Sequence, residues 1–116
     1  MKTIVSLAAA LLAVPAIAAP AIERVANPSP TAIILQGVVV PPGAETFILS
    51  GQLASPLDPA KPTEFGDTKT QAISTFTKIK AILESRGWSM KDVVKLTVFT
   101  TAAPGKDGKM DFAGFN

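Results

Sequence analysis

Apolar residues crowd the start of this chain without rhythm, then alternate, then recur at helical spacing, then alternate again. "AIILQGVVV" (32–40) is rich in β-branched residues and predicts a strand. "PPGAE" (41–45) is a turn, in which the prolines restrict φ and Gly43 supplies freedom. "TFILSG" (46–51) reads as the returning strand, so the two segments predict an antiparallel hairpin. The apolar run stops on Ser50-Gly51-Gln52. "QLASPLDPAKPTEFG" (52–66) carries Pro56, Pro59 and Pro62, which exclude a central strand or a helix interior.

The next segment has the clearest helical period. Thr68 and Gln71 form a capping-box pattern, with Asp67 as an alternative cap. Ala72, Phe76, Ile79 and Leu83 make a stripe that Ile73 and Ile82 widen. Lys69, Lys78 and Lys80 fall mainly elsewhere on the wheel, and Gly87 is placed to end the helix in a left-handed conformation. "SMKD" (89–92) is a short capped turn. "VVKLTVFTT" (93–101) predicts a strand with Val94, Leu96 and Val98 on one face. The order is β-β-α-β, with the helix expected to bury its stripe on the sheet. "AAPGKDGK" (102–109) is a loop, and "MDFAGFN" opens a second helix with Asp111 as cap and Phe112 and Phe115 at i, i+3. A helix this short does not hold itself, so the pattern predicts a domain cut inside a second α unit.

The first residues change the picture. Lys2, the apolar run Ile4–Val14 and the small-x-small triplet Ala16-Ile17-Ala18 have the three parts of a secretory signal peptide over residues 1–18. The run is too short to span a bilayer, and Pro15 follows it. Cleavage after Ala18 would leave a periplasmic or secreted protein with no membrane attachment. Residues 19–32, with Pro20, Pro28 and Pro30, predict an irregular lead-in, and residues 33–116 the globular domain.

Composition narrows the chemistry by what it lacks. There is no Cys and no His, and so no thiolate nucleophile, disulfide, Cys-based zinc site or imidazole base. Net charge is +2 without a basic run or an aromatic platform, which argues against nucleic acid as a partner. The acidic residues Glu45, Asp58, Glu64, Asp92 and Asp107 are scattered and predict no metal site.

Three blocks in order, "LSGQ", "TQAISTFTKIKAILESRGWSMKDVVKLTVF" and "DFAGFN", resemble the RidA/YjgF family of small imine and enamine deaminases. The resemblance covers about residues 33–116. It implies an α+β, chorismate-mutase-like fold: helices on one face of a mixed sheet, of which this chain would hold the β-β-α-β portion. It also implies a homotrimer with active sites in the clefts between subunits. The implied reaction is cofactor-free hydrolysis of 2-aminoacrylate and related 2-imino acids to 2-keto acids and ammonia. The ligand is thus a small imine or enamine bearing a carboxylate.

Ser50 matches the family's strand-end serine, whose hydroxyl lines the cleft; the alternative is a turn hydroxyl bonded to its own backbone. Gly51 permits close backbone approach to ligand or simply the turn. Gln52 offers an amide to ligand or to the loop that follows. Asn116 matches the asparagine of the family's second helix. The family's carboxylate-gripping Arg and water-positioning acid would lie downstream of Asn116, so the residues as given imply an inactive chain. Arg24 and Arg86 do not match that Arg; Arg86 suits the C-terminal end of the helix dipole. Ile34 stands about where many deaminating members carry a Tyr. The rival reading is a non-catalytic trimer that binds small carboxylates or a protein partner. A ribonuclease activity has also been attached to the family, but the absence of His, Tyr and a basic track argues against it here. Trp88 is expected to pack over the helix end.

Overall fold

The sequence's short apolar and β-branched runs find fewer partners than their propensities suggest. The structure, a computed structural model, describes residues 21–116. The signal-peptide segment therefore lies outside the described residues. Strand β1 (Glu23–Val25) and strand β2 (Gly37–Val39) pair antiparallel, with Glu23 opposite Val39, Arg24 opposite Val38 and Val25 opposite Gly37. Helix α1 spans Thr68–Glu84, a 3-10 turn spans Met90–Asp92, and helix α2 spans Phe112–Phe115. The described chain is thus α+β. It divides into two compact units, one ending at Thr46 and the other running from Phe47 to Asn116.

In the first unit the expected hairpin is replaced by another. The expected irregular lead-in contains β1, and β2 pairs with it rather than with residues 46–51. The cause is the Asn27-Pro28-Ser29-Pro30 segment, which is a built reversal rather than a simple break. The Asn27 side chain accepts from the Ser29 amide at 3.0 Å, and Ala32 N–H closes the turn on the Ser29 carbonyl at 3.1 Å. Gln36 N–H then reaches the Val25 carbonyl at 3.0 Å. Ile33 and Ile34 stay outside the ladder, exposed. The ladder among the described residues is antiparallel and two-stranded, not the mixed sheet expected.

The second unit is organised by α1. Asp67 is its N-cap: the carboxylate accepts from Thr70 N–H at 2.8 Å. The Thr68–Gln71 capping box does not form, because the Gln71 amide instead donates to the Gly66 carbonyl at 2.9 Å. At the other end Trp88 N–H bonds to the Leu83 carbonyl and Gly87 N–H to the Glu84 carbonyl, at 2.9 and 3.0 Å. These are the two bonds of a Schellman termination, and Gly87 takes the left-handed φ of +76° that it requires. Ile79 and Leu83 are the buried centre of the stripe. Ile73, predicted to widen it, is exposed. The Ser89–Asp92 turn carries the reciprocal bonds of a capping box. Asp111 caps α2, accepting from Gly114 N–H at 3.2 Å, and Phe115 meets Phe76 of α1 with ring centroids 6.1 Å apart.

The segments 46–51 and 93–101, expected as strands, form no ladder with another described residue. Residues 47–56 and 94–101 make no backbone–backbone hydrogen bond to another described residue. Their propensity is high, but a strand exists only with a partner, and propensity does not supply one.

Candidate functional site

Ser50, Gly51 and Gln52 sit on an extended segment that crosses the flank of α1. Phe47 begins it and is anchored by two contacts. Trp88 meets it edge-on at 6.0 Å, and the Arg86 guanidinium lies 6.0 Å from its ring centroid. Arg86 thus serves the packing of this segment rather than the helix dipole alone, and Trp88 covers the helix end through Phe47.

Burial then alternates along the segment. Phe47 and Leu49 are half-buried while Ile48 and Ser50 are exposed. Past Gly51 the phase shifts by one residue: Gln52 and Ala54 are half-buried, and Leu53 and Ser55 are exposed. A one-residue slip moves every later side chain to the other face. The slip falls at Gly51, where a Cβ would meet nothing within 4 Å, so the backbone there is open.

The slip separates the neighbouring polar groups. The Ser50 hydroxyl stays exposed and has no hydrogen-bond partner among the described residues, so the turn-hydroxyl alternative finds no bond here. The Gln52 amide reaches back to the Ser50 carbonyl at 3.2 Å, near the limit of a hydrogen bond, rather than into the following loop. That loop closes on itself, with Leu57 N–H on the Glu64 carbonyl at 2.8 Å.

Asn116 is placed elsewhere. It lines an open groove of about 410 Å³ between α1 and α2, together with Ile73, Phe76, Met90 and Phe115, and with Lys69 and Lys80 among the flanking cations. Ser50, Gly51 and Gln52 do not line this groove. The four sequence-predicted residues therefore fall at two places within the second unit.

Two α1 residues that the pattern did not single out touch the extended segment directly. The Lys78 ammonium donates to the Leu53 carbonyl at 2.7 Å, and the Ser74 hydroxyl accepts from Ser55 N–H at 3.0 Å. Their sequence signal is the i, i+4 spacing on the flank beside the apolar stripe.

Two carboxylates are electrostatically tuned, both as helix caps. Hydrogen bonding from the Thr70 side chain and then its amide holds Asp67 below its ordinary value. The Lys106 ammonium, 3.1 Å away, and then Gly114 N–H do the same for Asp111. Both stay ionised near neutral pH, which suits capping and leaves neither as a general acid. Among the described residues no cluster of His, Cys, Asp or Glu is placed to hold a metal ion, and no helix is long and apolar enough to cross a membrane.

The site's blocks have known relatives. Residues 27–110 match the family described as endoribonuclease L-PSP. A RutC family protein of Pyrococcus horikoshii is 45% identical over 55 residues, covering 46% of this chain and 41% of that protein. The match thus spans about two fifths of that relative's length. The family match includes Ser50, Gly51 and Gln52 and all of α1 but stops short of Asn116. With well over half of its residues matched in order, the chain belongs to the endoribonuclease L-PSP family, that is, to the RidA/YjgF proteins.

Proposed function

We propose that this protein, as its host makes it, is an exported RidA-like enzyme that hydrolyses reactive 2-imino and enamino acids, 2-aminoacrylate among them. The products are 2-keto acids and ammonia. Family membership supports the reaction class. The observation that carries the reading is the Ser50-Gly51-Gln52 rim: an exposed, unbonded hydroxyl beside open backbone and a weakly held amide.

The chemistry asks little of the protein. The enamine takes a proton at its terminal carbon and becomes an imine. Water adds to the imine carbon, the C–N bond breaks, and nitrogen leaves as ammonia. No electrons are exchanged with a cofactor. The Ser50 hydroxyl serves as a donor to the substrate carboxylate or to the attacking water, and Gln52 supplies a second donor. Gly51 leaves the backbone approachable.

The site is completed in this reading by a homotrimer, with substrate in clefts between subunits. The support is apolar surface beside the rim: Ile48 is 88% exposed and Leu53 83%. Export rests on the three-part leader over residues 1–18, with the mature protein periplasmic or secreted.

The test generates a 2-imino acid in place with an amino-acid oxidase and follows 2-keto acid release. Acceleration over the buffer rate by the protein from its host is expected. Release at the buffer rate overturns the enzymatic reading in favour of a non-catalytic trimer that binds small carboxylates or a protein partner. Cleavage of RNA by the same preparation, with no effect on imines, would overturn both.

A further inference from the structure

We propose that Lys78 and Ser74 are positioning residues for the Ser50-Gly51-Gln52 rim, an inference that rests on the functional reading of that rim given above. The segment 47–56 makes no backbone ladder with another described residue, so among these residues its position is held by side-chain bonds. Two such bonds come from α1. Lys78 Nζ holds the Leu53 carbonyl, one peptide beyond Gln52, at 2.7 Å. Ser74 Oγ holds Ser55 N–H at 3.0 Å.

The two anchors sit one turn apart on the same flank of the helix, and they grip one donor and one acceptor of the segment. They therefore fix both its height along α1 and its rotation. The bond from Lys78 is charge-assisted and short, which makes it the stronger of the two. It acts from the helix side, while the phase slip at Gly51 keeps the Ser50 hydroxyl on the exposed side. Neither anchor needs to touch a ligand. Each acts by holding the peptides behind the groups that do. α1 is a suitable base because it is capped at both ends and carries the two buried residues of the unit.

The experiment compares the full-length protein with K78M, K78R and S74A, using 2-oxobutanoate, a product-class keto acid, as probe. The readouts are its dissociation constant, the backbone order parameters of residues 50–54, and the melting temperature. K78M is expected to weaken 2-oxobutanoate binding about tenfold. It should also drop the order parameters from the rigid range near 0.85 toward about 0.6. K78R, which keeps a charged donor, is expected to restore both. S74A is expected to loosen the same residues to a smaller degree, and it carries the test if K78M does not fold. Unchanged order parameters in K78M and S74A would overturn the proposal. So would a binding loss that tracks melting temperature and is not rescued by K78R. If the unsubstituted protein does not bind 2-oxobutanoate, the functional reading of the rim falls, and the order parameters still decide whether the tether exists.

Discussion

Ser50 shows how much one residue's surroundings add to its identity. A serine at the end of an apolar run is compatible with a turn or with a ligand floor. In the structure its hydroxyl is exposed and unbonded, so removing it takes nothing from the fold. Ser50→Ala is expected to leave the melting temperature unchanged and to weaken 2-oxobutanoate binding by about 1 kcal/mol, the worth of one hydrogen bond. Equal losses in a thermal melt and a binding titration would return Ser50 to a structural role. Gly87 behaves oppositely. Its place at the helix end was legible because only a residue free of a Cβ takes φ of +76° cheaply, and no contact blocks a Cβ there. Gly87→Ala should therefore cost about 1 kcal/mol in chemical denaturation, all of it backbone strain. Lys78 was not legible. A lysine off the apolar stripe looks like a solvated charge, and its bond partner lies 25 positions away in sequence.

At the scale of elements, the helices were readable, while of the expected strands only Gly37–Val39 within 32–40 lies in a ladder among the described residues. The caps at Asp67, Ser89 and Asp111 bind amides two or three residues ahead, so their partners are fixed by sequence distance alone. Both tuned carboxylates have folded values below the ordinary 3.8. Their contribution to stability is complete above that value and is lost as pH falls through the lower folded values. A melting temperature followed downward from neutral pH should accordingly hold until about pH 4 and then decline. Asp67→Asn, which keeps a capping acceptor but has no charge to titrate, should flatten part of that decline. A decline of the same depth in the variant would show that the Asp67 cap does not contribute to it. The strands failed as a prediction for a stated reason. Residues 32–40 have strand propensity throughout, but among the described residues only Gly37–Val39 is in a ladder, and its partner is Glu23–Val25, in the segment expected to be an irregular lead-in.

For the molecule as a whole, the unburied apolar surface is the feature that most needs an account. Phe99 is 93% exposed, and Val94, Leu96 and Val98 beside it are also exposed. Burial of a phenylalanine is worth about 1.5–3 kcal/mol, so a proposed trimer that covers Phe99 gains that amount in each subunit. Phe99→Lys should then shift the protein from trimer to smaller species in sedimentation velocity. A trimer that survives the substitution would place the subunit contact on another face.

Residue order settled most of what depends on neighbours within about one helical turn: the extent of α1, its end at Gly87, the turn at Ser89–Asp92 and the opening of α2, though not the choice of Asp67 over a Thr68–Gln71 box as the cap of α1. Those bonds close over two to five residues, and no distant segment competes for them. Three-dimensional packing settled the rest: the pairing of β1 with β2, the outward set of Ser50, the separation of Asn116 from the rim, and the grip of α1 on Leu53 and Ser55. Each of these joins groups more than ten positions apart or depends on which face of a segment is covered. Such choices are made among many competing partners, and local propensity weights them almost equally.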